Sequence, residues 1–119
     1  MTQNVYVMSA GNRSSIPQGT LDMLILQTLA AGGEMHGFAI ADAILERSEN
    51  VFQVEEGSLY PALQRLLVKG YLVGEWGKTS DNRRARYYKL TAGGRKQLDI
   101  EVNEYRRVNR AISRIIQPA

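Results

Sequence analysis

At Gly70 the apolar residues of this chain stop recurring at helical intervals and fall into short β-prone runs; at Thr91 the helical recurrence resumes. A change of period divides a sequence into elements before any other property is considered. Ahead of Gly70 stand three helical patterns. In PQGTLDMLILQTLAAGG, Leu21, Leu24, Ile25 and Leu29 form one stripe that Met23 and Leu26 widen, which predicts a central, largely buried helix. Pro17 marks its entrance and Gly32-Gly33 its exit. A short AGGEMHG turn leads to MHGFAIADAILERSEN, where Phe38, Ile40, Ala41, Ile44 and Leu45 share a stripe and Asp42, Glu46 and Arg47 face out. An extended VFQVEEG then leads into VEEGSLYPALQRLLVKGYL, with Leu59, Leu63, Leu66 and Leu67 at helical spacing.

Pro61 sits inside that third pattern. Proline is tolerated in a first helical turn, where backbone N–H groups lack intrahelical acceptors. Placing Ser58 at the N-cap makes Leu59, Tyr60 and Pro61 the first turn, and Gly70 ends the helix. On this reading the proline locates the start of a helix.

Beyond Gly70, YLVGEW and ARYYKL flank the polar loop GKTSDNRR, the pattern of a two-stranded hairpin. TAGGRKQLDIEVNEYRRVNRAISRIIQ predicts a last helix with Thr91 as N-cap, weakened at its start by Gly93 and Gly94. From about Arg95 to Ile116 it would extend roughly 33 Å. Its apolar seam, Leu98, Val102, Tyr105, Val108, Ile112, Ile115 and Ile116, is narrow and flanked by Arg106, Arg107, Arg110 and Arg114. A seam on a helix leaving a small domain suits the same helix of a second copy, so these residues are the expected homodimer interface.

Three helices, a hairpin and a long helix predict a mainly α (α+β) fold: a winged helix-turn-helix domain with a long C-terminal dimerisation helix. The expected organisation is a loose N-terminal arm over 1–15, the winged-helix domain over 16–90 and the dimerisation helix over 91–119.

Charge points to the same use. Residues 1–57 hold 2 Lys/Arg against 7 Asp/Glu, whereas residues 58–119 hold 13 against 5. Such asymmetry suggests a polyanion-facing second half. Helix N-termini present side chains to base edges and amides to phosphate. Ser58, Tyr60, Gln64 and Arg65 are therefore candidates for double-stranded DNA, Gln64 for adenine and Arg65 for guanine or phosphate. Lys78, Arg83, Arg84 and Arg86, with Asn82 among them, are candidates on the hairpin for the backbone or minor groove. One of Arg84 and Arg86 is also a candidate partner for Glu75 across the hairpin. Trp76 reads as hairpin packing, and His36 as a loop or capping residue.

Other chemistry finds little support. The chain has no cysteine, one histidine, no metal-ligand spacing and no Gly-rich phosphate loop, so neither a cofactor, a metal site nor an enzyme is expected. Glu55 and Glu56, adjacent on an extended segment, would point to opposite sides. No membrane span or export signal is visible, and the expected location is cytoplasmic.

The segments PQGTLDMLILQTLAAGGEMHGFAI, EEGSLYPALQRLLVKGYL and NRRARYYKLTAGGRKQL resemble the PadR family of bacterial transcriptional regulators over about residues 16–98. The resemblance implies a dimeric winged-helix repressor of a palindromic operator, often released by a small-molecule inducer. It places Ser58, Leu59 and Tyr60 at the start of the recognition helix and Arg83, Arg84 and Arg86 on the wing. Family members that bind flat aromatic drugs use a tryptophan on the last helix; here that helix has none, so no inducer is carried over. Two other readings stand beside the repressor: a winged-helix module that binds an acidic protein, and a sensor with its ligand near Tyr105.

Overall fold

The structure, a computed structural model, describes residues 15–17 and 19–118. The elements run α1 (Leu21–Gly32), β1 (Met35–His36), α2 (Gly37–Arg47), α3 (Glu56–Val68), β2 (Leu72–Lys78), β3 (Arg84–Leu90) and α4 (Ala92–Ile116). All but residue 15 of the expected N-terminal arm lies outside the described residues.

Helix α1 is central, packing against α2, α3, α4 and β3. Ile25 and Leu26 of α1, Ile40 of α2 and Leu59, Leu63 and Leu66 of α3 are enclosed, and Leu72, Tyr88 and Leu98 close the core from the hairpin and α4. Phe38 departs from the expected stripe. It is 59% exposed, because it lies on the opposite side of α2 from Ile40 and Ile44.

The sheet contains a strand that periodicity did not reveal. Met35 and His36 pair antiparallel with Tyr88 and Tyr87, so the sheet order is β1-β3-β2. Two residues are too few to carry a period. His36 is also the N-cap of α2: its Nδ1 accepts from the Ala39 amide at 3.3 Å, and its ring meets Tyr87 edge-on.

Helix α3 begins earlier than Ser58. Glu55 is its N-cap and Glu56 its first residue, which puts a carboxylate at the positive end of the helix dipole. Ser58 is the third helical residue, and Leu59 is the first whose amide reaches back four residues, to the Glu55 carbonyl at 2.9 Å. Pro61 therefore lies inside the helix and deprives the Gly57 carbonyl of its usual donor. Gly57 is exposed, so solvent can satisfy that carbonyl. At the other end Gly70 takes φ +80°, with Tyr71 bonded to the Leu66 carbonyl and Gly70 to that of Leu67. This left-handed stop is the role glycine fills at helix ends.

Thr91 caps α4 as expected, accepting from the Gly94 amide at 2.9 Å. Its hydroxyl also donates to the Gly70 carbonyl at 2.7 Å, joining the start of α4 to the end of α3. Helix α4 has 25 residues, about 37 Å of rod. Leu98 is buried in its own domain and Val102 packs against that core, so Leu98 is not free for a partner. From Asn103 onward every described residue is exposed. The projection raises the radius of gyration to 16.5 Å, against about 13 Å for a compact chain of similar length.

Candidate nucleic-acid interface

Helix α3 presents one face to the core and the other outward because its apolar residues recur at three and four positions. Leu59, Ala62, Leu63 and Leu66 are buried, while Ser58, Pro61, Gln64, Arg65 and Val68 are exposed. Leu59, expected at the DNA surface, is only 1% exposed; it anchors the helix and has no side-chain surface for a ligand. Arg65 donates to Asp22 of α1 at 2.9 Å, which ties the outward face of α3 to the central helix. Tyr60 is 40% exposed, and its ring lies on Gly37 of α2. A β-carbon at 37 would stand 3.0 Å from the Tyr60 hydroxyl oxygen, so glycine there makes room for the ring. That hydroxyl has no hydrogen-bond partner among the described residues.

The hairpin alternates as a strand must, and its register decides which residues meet. Trp76 pairs with Arg86, Lys78 with Arg84, Gly74 with Tyr88 and Glu75 with Tyr87. Trp76, Arg84, Arg86 and Tyr88 thus share one face, and Glu75 stands on the other. The expected bridge from Glu75 to Arg84 or Arg86 does not form. Arg84 instead covers the Trp76 ring at 4.3 Å, a cation–π contact. Tyr87, on the Glu75 face, donates its hydroxyl to the Lys78 carbonyl at 3.1 Å. At the tip Asn82 takes φ +65° and its amide bonds to the Thr79 carbonyl, so asparagine shapes the turn. Arg83 approaches Asp81 at 3.5 Å, both well exposed, an arrangement worth little in water.

Between the start of α2, with Tyr60 of α3, and this hairpin face lies a cleft of about 700 Å³. Phe38, Tyr60, Trp76, Arg84, Arg86 and Tyr88 are among its lining residues. Burial raises the Tyr88 phenol above its ordinary pKa; the Arg86 charge offsets part of that, and the Tyr60 phenol adds to it. Arg86 and Tyr60 therefore both act electrostatically on Tyr88. The structure brings Tyr60, Arg83, Arg84 and Arg86 to this one cleft, whereas Gln64 and Arg65 line a separate shallow groove with Val68 and Lys69. Phe38, Trp76 and Tyr88 were not among the expected ligand-facing residues. The signal for Trp76 lay in the hairpin alternation, once the register is known.

A basic wing beside an outward-facing helix is a general arrangement, and comparison with known proteins narrows it. The PadR-like transcriptional regulator family model matches residues 25–100. The chain belongs to the PadR-like family of transcriptional regulators. A transcriptional regulator of Mycobacterium tuberculosis is 39% identical over 69 residues, 58% of this chain and 61% of that protein. Among solved structures, a transcriptional regulator from Clostridium thermocellum superposes with a TM-score of 0.76 at 26% identity, covering 84% of this chain and 96% of that one. A PadR family transcription regulator from Clostridium difficile gives 0.71 at 30% identity, covering 82% and 99%. In PadR terms the winged-helix fold is as expected, and no helix among the described residues is long and apolar enough to cross a membrane.

Proposed function

We propose that this PadR-family regulator is a cytoplasmic, non-enzymatic homodimeric repressor that binds a palindromic operator. Residues 16–90 form the DNA-reading unit and residues 91–119 the dimerisation helix. Helix α3 enters the major groove with Ser58 and Gln64 toward base edges, and Lys78, Arg83 and Arg84 of the wing meet the adjacent backbone. The observation that carries this reading is that Tyr60, in the first turns of α3, and Arg83, Arg84 and Arg86 of the hairpin line one cleft. A groove-bound helix and a wing on the neighbouring backbone need that shared opening.

Dimerisation rests on α4. Tyr105, Val108, Ile112, Ile115 and Ile116 stand exposed on the part that projects from the domain. An isolated helical segment of this length is marginal in water, and an apolar stripe along it calls for a second helix. Two copies joined there would hold two α3 helices for half-sites about 10 bp apart or a multiple of it.

Selection of bound duplexes from random DNA, followed by titration against salt, tests the proposal. The expected result is one enriched palindrome with steep salt dependence. The Arg83/Arg84/Arg86→Ala variant should lose affinity and flatten the slope by about 0.9 per lost phosphate contact. A folded wild-type protein that enriches no sequence would refute the reading and favour a module for an acidic protein. Repression is checked by a reporter under the enriched sequence, whose expression should fall when the regulator is supplied.

A second reading has one observation in its favour. A groove of about 590 Å³ runs between the start of α1 and α4, lined by Tyr105, Ile100 and Val108. A small-molecule inducer seated there would raise the melting temperature in a thermal-shift screen.

A further inference from the structure

The groove between the start of α1 and α4 is acidic, although residues 58–119 as a whole are basic. Asp22, Glu101 and Glu104 stand on its lining, which holds no lysine or arginine. Asp22 is paired with Arg65 and Glu104 with Arg107. Glu101 accepts from the Gln97 amide at 2.8 Å and meets no cation among the described residues. Beside these carboxylates Ile100, Tyr105 and Val108 leave apolar surface exposed. Such a surface repels DNA and an acidic partner, and suits an apolar segment that carries a cation.

The chain itself holds a segment of that kind and leads it to the groove. Gly19 and Thr20 are lining residues. The Thr20 amide bonds to the Pro17 carbonyl at 3.1 Å and Gly19 takes φ +85°, so the backbone turns at this point. Ile16, just before the turn, packs against the core and does not run on beyond α1. Farther upstream the sequence has the apolar run Val5, Tyr6, Val7 and Met8, then Arg13, the sole charged residue ahead of Asp22.

We propose that residues 5–13 lie in this groove of their own subunit, the apolar run on Ile100, Tyr105 and Val108, and Arg13 on Glu101. The 12 residues from Met8 to Thr20 can span about 40 Å when extended. The groove needs far less, since Ile100 to Val108 is about 12 Å of helix. A tether this short keeps the segment concentrated over its own groove, nearer than the groove of a second copy. The lining ends at Val108, so Ile112, Ile115 and Ile116 stay available for a partner's helix. The arm then braces the root of α4 against α1. This inference requires neither an operator nor a dimer, and it gives the groove an occupant other than an inducer.

The chain has no cysteine, so introduced pairs report cleanly on the full-length protein. Val7→Cys is combined with Ile100→Cys in the groove, or with Glu46→Cys on the exposed side of α2 as the control. Tyr6→Cys and Met8→Cys cover a shift of register. Under mild oxidation the groove pair should close about tenfold faster than the control, within a single chain on a non-reducing gel. Disulfides that join two chains would assign the arm to a partner's groove, and equal rates at the two sites would take it out of the groove. Either result overturns the proposal. Removal of residues 1–14 should lower the urea midpoint and increase binding of Nile red, an uncharged apolar probe. Equal binding of the probe with and without the arm would leave the groove to a small molecule and overturn the proposal. Arg13→Ala and Glu101→Gln should each lower the midpoint, and the double variant no further than either alone. Additive losses would overturn the pairing of Arg13 with Glu101.

Discussion

Arg86 lies so close across Gly74 that a β-carbon at position 74 would stand 2.6 Å from its Nε. Such contacts do not persist, but the obstructing atom belongs to a flexible side chain, so Arg86 can swing away. Gly74→Ala should therefore change stability by less than about 1 kcal/mol. It should lower DNA affinity by about tenfold, roughly 1.4 kcal/mol, through displacement of the guanidinium. Thermal melting and DNA titration of the same preparation check both halves. Unchanged affinity would remove the reason for glycine at 74.

Thr91 holds two elements through one hydroxyl, which donates to Gly70 and accepts from Gly94. Thr91→Val preserves shape and deletes both bonds. It should lose about 1–2 kcal/mol in urea unfolding, while Thr91→Ser keeps most of the stability.

Gly94 is needed for space. A β-carbon there would run into the Tyr71 carbonyl oxygen, a backbone atom that cannot rotate aside, and into Leu90. Gly94→Ala should destabilise by about 1–3 kcal/mol despite the better helix propensity of alanine. A midpoint equal to that of the wild type would show that the α4 junction can move.

Ile112 stands 51% exposed on the projecting part of α4. Ile112→Asp should leave the winged-helix core folded and convert a dimer to a monomer in sedimentation velocity. Affinity for a full palindrome should then fall by about 10²-fold or more, because the second half-site no longer binds intramolecularly. A variant that remains dimeric would move the interface elsewhere.

Burial holds the Tyr88 phenol above its ordinary pKa. The folded state then keeps its proton at pH values where the unfolded chain has released it. Stability from this group is complete below about pH 10, the unfolded value, and declines as pH rises toward and through the folded value. Urea midpoints measured across that range should fall more steeply for the wild type than for Tyr88→Phe. Parallel curves would assign the alkaline loss to other groups.

The succession of elements was legible because long stretches repeat their spacing: the stripe of α1, the leucines of α3 and the alternating runs of the hairpin are each visible within one segment. Thr91 and Gly70 were legible for a similar reason, since capping is local chemistry. What spacing could not settle was the start of α3, where Glu55 and Glu56 extend the helix a turn past the residue that looked like its cap. Proline one turn inside is tolerated there because Gly57 is exposed. Strand β1 was hidden by its length.

Amino-acid order by itself determined the family, the winged-helix plan and the basic character of the hairpin, because periodicity, turn chemistry and charge act over neighbouring residues. Only the tertiary structure decided which side chains meet. It turned Phe38 outward, closed Leu59 inward, set Arg84 on Trp76 and enclosed the Arg86 Nε without a partner beside a cleft that Tyr60 also lines. Those outcomes depend on strand register and on how α2 packs against α3, and both are fixed by contacts between residues far apart in the chain.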